Sequence, residues 1–312
     1  MKAFIFDPLW NDLITNDLKS KLDASGLEVI IATDVAPLMD HKELYEGDED
    51  RLLCLNPDYV NWRLTSEDYR NIPNLKGIFG AATSTTWIEK SYANEHGIPV
   101  CDIKNFSTEA VAEWAITMMF NVARQVPGLI KDDFPLDFDK DYMRYRGIEL
   151  HGKKAGIVGL GHIGSAIAAR CAGLGMDVIY WSRSPKQVEY EKVELSQLFA
   201  DADVIFPTME LNDETKTLLD DELLKSMKDT AMVIQTAHGL FSQQLVIDMV
   251  KNGKLYGYGL EAEPATFSSY EGNIWAAPAY AWATDSTMHN SMVKWIDNIL
   301  SASEGRFPNR IN

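Results

Sequence analysis

The chain has 312 residues and a mass of 35.1 kDa, with 46% hydrophobic and 24% charged residues, which excludes wholesale disorder and suits two ordinary domains. Its formal net charge is −17. A field of that sign repels phosphate backbones and anionic lipid, so neither nucleic acid nor a membrane surface is an expected partner.

In chain order, the apolar run of Met1–Trp10 is short and broken by Asp7 and Pro8, so it reads as a first strand and not as a signal peptide. No stretch approaches about 18 uncharged apolar residues, so no membrane span is expected. Short apolar runs at Lys2–Phe6, Glu28–Ala32, Arg51–Leu55, Gly77–Phe79 and Ile98–Cys101 alternate with polar, helix-like segments. Strands alternating with helices predict a parallel sheet with both faces covered. Ser107 opens a long helix: Thr108-Glu109 makes an acidic first turn, and Val111, Ala112, Ala115, Ile116, Met119 and Val122 recur at helical spacing up to a stop before Pro127 and Gly128. Residues 129–147 are charged and Asp-rich and read as a loop or a short exposed helix.

The alternation restarts with a strand at Ala155–Val158, a helix at Ile163–Leu174 and a strand at Met176–Trp181, followed by strands at Asp203–Phe206, Met232–Gln235 and Leu255–Leu260. A last helix, about Ser286 to Leu300, is expected to pack on the first block. The fold class is therefore α/β, with two doubly wound parallel-sheet domains and a cleft between them.

Gly159-Leu160-Gly161-His162-Ile163-Gly164 is a G-x-G-x-x-G that directly follows the strand AGIV and opens a helix. That context is what the pattern needs to bind a dinucleotide. The first glycine makes the tight turn, the second lets a pyrophosphate approach the backbone, and the third lets helix and strand pack closely. The helix N-terminus offers free N–H groups and a partial positive charge. His162 and Ile163 are expected beside the phosphates. The following strand ends in Ser182-Arg183-Ser184-Pro185-Lys186, with no acid to take a ribose 2′-OH. Two cations and two hydroxyls suit a 2′-phosphate, so NADP is expected over NAD, with Ser182, Arg183 and Ser184 as contacts. The bland alternative is a turn of solvated surface charges.

With these segments the chain resembles the D-isomer-specific 2-hydroxyacid dehydrogenases over nearly its whole length. Leu75–Ile98, Thr108-Glu109-Ala110-Val111-Ala112-Glu113, Gly159–Gly164, Asn212-Asp213-Glu214-Thr215 and Leu224-Lys225-Ser226-Met227-Lys228 carry the likeness. The Ser-Arg-Ser turn is similar to the NADPH-preferring glyoxylate or hydroxypyruvate reductase branch. The resemblance implies a flavodoxin-like substrate domain from 1–103 with 285–312, a Rossmann-type cofactor domain over 104–284, and a homodimer. It also implies further cofactor contacts at Thr208, Thr236, Ala237 and Glu261, the last to the nicotinamide carboxamide.

The resemblance further implies an Arg, Glu and His active site, and here the chain departs from it. The Arg position falls on His238, the Glu position on Glu263 and the His position on Ala279, beside Tyr280. Ala82-Thr83-Ser84 matches the loop that presents backbone N–H groups to a substrate carboxylate. Ala279 carries no proton, and His238 is shorter than Arg. It makes no bidentate carboxylate clamp as Arg does. One reading keeps catalysis, with His238 as acid/base polarised by Glu263 and Tyr280 either as hydroxyl donor or as an aromatic wall of the pocket. Its substrate is a small 2-hydroxy or 2-oxo acid or a related carbonyl compound. The alternative is a catalytically silent NADP-binding regulatory or scaffolding protein of the same fold.

The histidines, at 41, 96, 151, 162, 238 and 289, show no metal-binding spacing, and the Asp-rich stretches lack the glycine of a calcium loop. No metal is expected. Cys54, Cys101 and Cys171 are odd in number without a CxxC, which predicts buried reduced thiols and a cytoplasmic protein.

Overall fold

The computed structural model describes residues 1–134, 143–262 and 270–312. Its first apolar runs pair as β1 (Lys2–Phe6), β2 (Glu28–Ala32), β3 (Arg51–Leu55), β4 (Leu75–Gly80) and β5 (Val100–Cys101). They form a parallel sheet in the order β2-β1-β3-β4-β5, the flavodoxin-like arrangement. The period-2 geometry of a strand sends alternate residues to opposite faces. Phe4, Phe6, Leu53, Leu55 and Ile78 accordingly enter one core, and Ala3, Ile5, Leu52, Cys54 and Phe79 the other. The second core is completed from the far end of the chain by Met292, Trp295, Ile296 and Ile299 of the helix Asp285–Ser303.

The second sheet contains β6 (Lys154–Val158), β7 (Asp177–Trp181), β8 (Glu191–Lys192), β9 (Val204–Pro207), β10 (Met232–Gln235), β11 (Gly257–Glu261) and β12 (Ile274–Ala277). Its order is β12-β11-β10-β9-β6-β7-β8, and every recorded pairing is parallel. The chain winds outward from β6 to β8, returns, and winds the other way from β9 to β12. The topological switch therefore lies between β6 and β9, at whose C-terminal ends such sheets bind ligands. The helix Thr108–Ala123 buries Ala112, Ala115, Met118, Met119 and Val122 against one face of this sheet. By contacts the chain divides into two compact units, Met1–Ser107 with Thr284–Asn312, and Thr108–Ala283.

The long helix stops at Ala123, ahead of Pro127 as expected, and Gln125 turns the chain in a left-handed conformation at φ 53°. Pro127 then sits in the first turn of a second helix, Val126–Lys131, where its missing N–H costs nothing. Two strands have no counterpart in the sequence reading. β8 is a two-residue exposed edge, and β12 is only Ile-Trp-Ala-Ala.

Candidate functional site

Because the second sheet is parallel, the C-terminal ends of its strands share one edge. Gly159–Gly164 follows β6, Ser182–Ser184 follows β7, Thr208 follows β9, Thr236–His238 follows β10, Glu261 ends β11 and Tyr280 follows β12.

At the glycine loop each glycine has a separate physical reason. Gly159 adopts φ +99°, and a Cβ there would meet Met209 Cγ at 2.8 Å. A Cβ on Gly164 would stand 2.1 Å from the Gly159 carbonyl oxygen and 2.7 Å from Thr208 Oγ1. Gly161 differs, since a Cβ there would meet no protein atom within 4 Å. Gly161 is also the N-cap of the helix His162–Gly173, and no side chain caps that end. The first N–H groups of a helix have no intrahelical partner. An uncapped helix end beneath open space at Gly161 fits an anionic pyrophosphate. His162 is exposed and Ile163 half-buried at this end. Thr208 braces the loop, because its hydroxyl donates to the Gly159 carbonyl at 2.6 Å and its N–H to Val158 O at 2.9 Å.

In the turn after β7, Ser182 is buried and its hydroxyl donates to the Ser184 carbonyl at 2.5 Å, which shapes the turn. Arg183 and Ser184 are exposed. Arg183 pairs with Glu214, Nη1 to Oε2 at 2.7 Å. The backbone N–H of Lys186 donates to the Tyr180 hydroxyl at 3.0 Å.

The turn after β10 is held by a buried polar group that the sequence reading missed. Gln235 donates to the Ala237 carbonyl at 2.9 Å, while its Oε1 accepts from the Tyr258 hydroxyl and from Gln243 Nε2 at 3.2 Å. Burial pushes the Tyr258 phenol well above its ordinary range. Thr236 and Ala237 are half-buried and His238 is exposed. The available signal was an amide closing an otherwise apolar strand, Met-Val-Ile-Gln.

Glu261 is 5% exposed, and its Oε1 accepts the Ala281 N–H at 2.8 Å. Burial raises its pKa, partly offset by backbone N–H groups of Ala281 and Tyr280. The carboxylate thus anchors the segment carrying Tyr280, whose side chain is 59% exposed. Glu263 lies outside the described residues. In the other unit, Ala82 is buried after β4 while Thr83 and Ser84 are exposed. The Ser84 carbonyl accepts from Trp87 Nε1 at 2.8 Å, which fixes the end of that loop.

Among the described residues, no group of three His, Cys, Asp or Glu side chains is placed to hold a metal ion, and no helix is long and apolar enough to cross a membrane.

A family model described as D-isomer specific 2-hydroxyacid dehydrogenase, NAD binding domain, matches residues 116–279. Glycerate dehydrogenase of Methylorubrum extorquens is 28% identical, the match covering 78% of this chain and 81% of that protein. Hydroxypyruvate reductase of Blautia hydrogenotrophica is 28% identical, covering 93% and 95%. Among solved structures, TT0316 protein from Thermus thermophilus superposes with a TM-score of 0.81 at 26% identity, over 100% of both chains.

Proposed function

The chain belongs to the D-isomer specific 2-hydroxyacid dehydrogenase family, and from that premise we propose that it is an oxidoreductase acting on the C–OH or C=O of a small 2-hydroxy or 2-oxo acid or a related carbonyl compound. Its cofactor is a nicotinamide nucleotide. The observation that carries this reading is the cradle at the switch point: Gly164 and Thr208 fix the loop, and open space stands over the uncapped helix at Gly161. We favour NADP over NAD because β7 runs into Ser182-Arg183-Ser184 with no acid.

When bound, the nucleotide supplies the hydride acceptor or donor. The rest falls to this chain. Leu160–Gly164 would hold the pyrophosphate through backbone N–H groups, and Arg183 with Ser184 the ribose end. His238, seated by the Gln235 bond to Ala237, would give or take the proton at the substrate oxygen. Tyr280 would donate its hydroxyl to the same oxygen. This arrangement replaces the family's Arg, Glu and His set, with His238 at the Arg position and Ala279 at the His position. We further infer a homodimer, testable by light scattering, and a cytoplasmic setting, supported by three buried free cysteines.

The test is a screen of 2-oxo acids, aldehydes and ketones for NADPH oxidation, with His238→Ala as control. Turnover in the parent and a loss of about 10²–10⁴-fold in His238→Ala, at unchanged nucleotide affinity, is the expected outcome. Unchanged turnover in the variant would remove His238 from the chemistry. Tight nucleotide binding with no turnover on any substrate would favour the catalytically silent reading.

A further inference from the structure

The turn after β7 lacks a carboxylate of its own, yet one reaches it from elsewhere. Glu214 belongs to the segment after β9, 31 residues from Arg183, and places Oε2 at 2.7 Å from Arg183 Nη1. Both side chains stay open to solvent, 76% for Arg183 and 71% for Glu214. Glu214 is nevertheless presented by a defined turn. Asn212 Oδ1 accepts the N–H groups of Glu214 at 2.9 Å and Thr215 at 3.0 Å, and the Thr215 hydroxyl donates to the Glu210 carbonyl at 2.6 Å.

We propose that Glu214 moderates the pyridine-nucleotide preference, by holding Arg183 in the free protein and contending with a 2′-phosphate for its donors. The inference rests on the assignment of Arg183 to the ribose end of the nucleotide. A 2′-phosphate must take the guanidinium from Glu214, and the displaced carboxylate then stands near a second anion. Both effects count against NADP(H). A neutral 2′-hydroxyl disturbs neither, so NAD(H) leaves the pair intact. Exposed ion pairs are weak, so the displacement is readily reversible and Glu214 narrows the selectivity without abolishing it. The pair thus works as a selectivity filter: Arg183 supplies the attraction for the phosphate, and Glu214 limits it.

The experiment is a fluorescence titration of the full chain with NADPH and with NADH, giving dissociation constants for the parent, Glu214→Gln, Arg183→Ala and the double variant. Thermal midpoints would confirm that each folds. Glu214→Gln should tighten NADPH roughly fivefold and leave NADH within about twofold. Arg183→Ala should weaken NADPH about tenfold more than NADH, and the gain from Glu214→Gln should shrink in that background. If Glu214→Gln leaves the NADPH to NADH ratio unchanged while Arg183→Ala lowers it, the inference fails and the assignment of Arg183 stands. If Arg183→Ala does not change the ratio, both fall. Weaker NADH binding in Glu214→Gln would instead give Glu214 the ribose hydroxyl and also overturn the proposal.

Discussion

Glu261 is buried with a backbone N–H as its recorded partner, and burial raises its pKa above the ordinary 4.5. Below the unfolded value the group is protonated in both states and pH has no effect on its contribution. As pH rises through the unfolded and then the raised folded value, the folded state is the last to release the proton, so ionisation disfavours the fold. Glu261→Gln keeps an acceptor for Ala281 and removes that burden. Thermal midpoints should therefore be higher in the variant at pH 7–8, with the gain fading toward pH 4; a gain that grew in acid would contradict the linkage. The sequence marked Glu261 as notable by its position, but its partner lies 20 residues on, past a strand that left no clear pattern. Arg51 shows the same limit. It follows the Asp-rich stretch 48–50, which reads as solvated loop, yet its side chain is fully buried and donates to the carbonyls of Glu46, Gly47, Glu49 and Pro73. A cation that caps carbonyls gathered from a fold has no local signature.

At the scale of elements, the glycine loop separates what the fold needs from what a ligand needs. Gly164→Ala would drive a Cβ into the Gly159 carbonyl, which is backbone and has little room to give, so a loss of about 1–3 kcal/mol is expected. Gly161→Ala meets nothing within 4 Å and sits at φ −84°, which any residue adopts, so stability should stay within about 0.5 kcal/mol. Nucleotide affinity should nonetheless fall about tenfold or more in Gly161→Ala, because the methyl would occupy the path to the helix end. Chemical denaturation and nucleotide titration of the two variants would check this, and parent-like binding by Gly161→Ala would remove the phosphates from that space. This motif was legible because strand, glycines and helix follow one another within twenty residues. β8 and β12 were not, since two exposed residues and a four-residue run carry too little periodicity to register.

For the whole molecule, the alternation of strands and helices sufficed for two parallel sheets and for the return of the last helix to the first block, but not for the pairing of the final residues. Asn312 accepts the Val100 N–H at 2.8 Å and donates to the Ile98 carbonyl at 2.9 Å, pairings more than 200 residues apart. Trp295 is fully buried and its Nε1 donates to the Phe79 carbonyl at 3.0 Å. Trp295→Ala should cost the first unit about 3–5 kcal/mol, read by urea denaturation, while the contiguous second unit keeps its nucleotide affinity. A cost below about 1 kcal/mol would show that this helix is not an integral part of that core. The use of the chain ends also bears on biosynthesis. Thr284–Asn312 is synthesised after both the first hundred residues and the middle of the polypeptide, so the former wait with one oily flank uncovered while Thr108–Ala283, a compact unit by itself, is free to mature ahead of them.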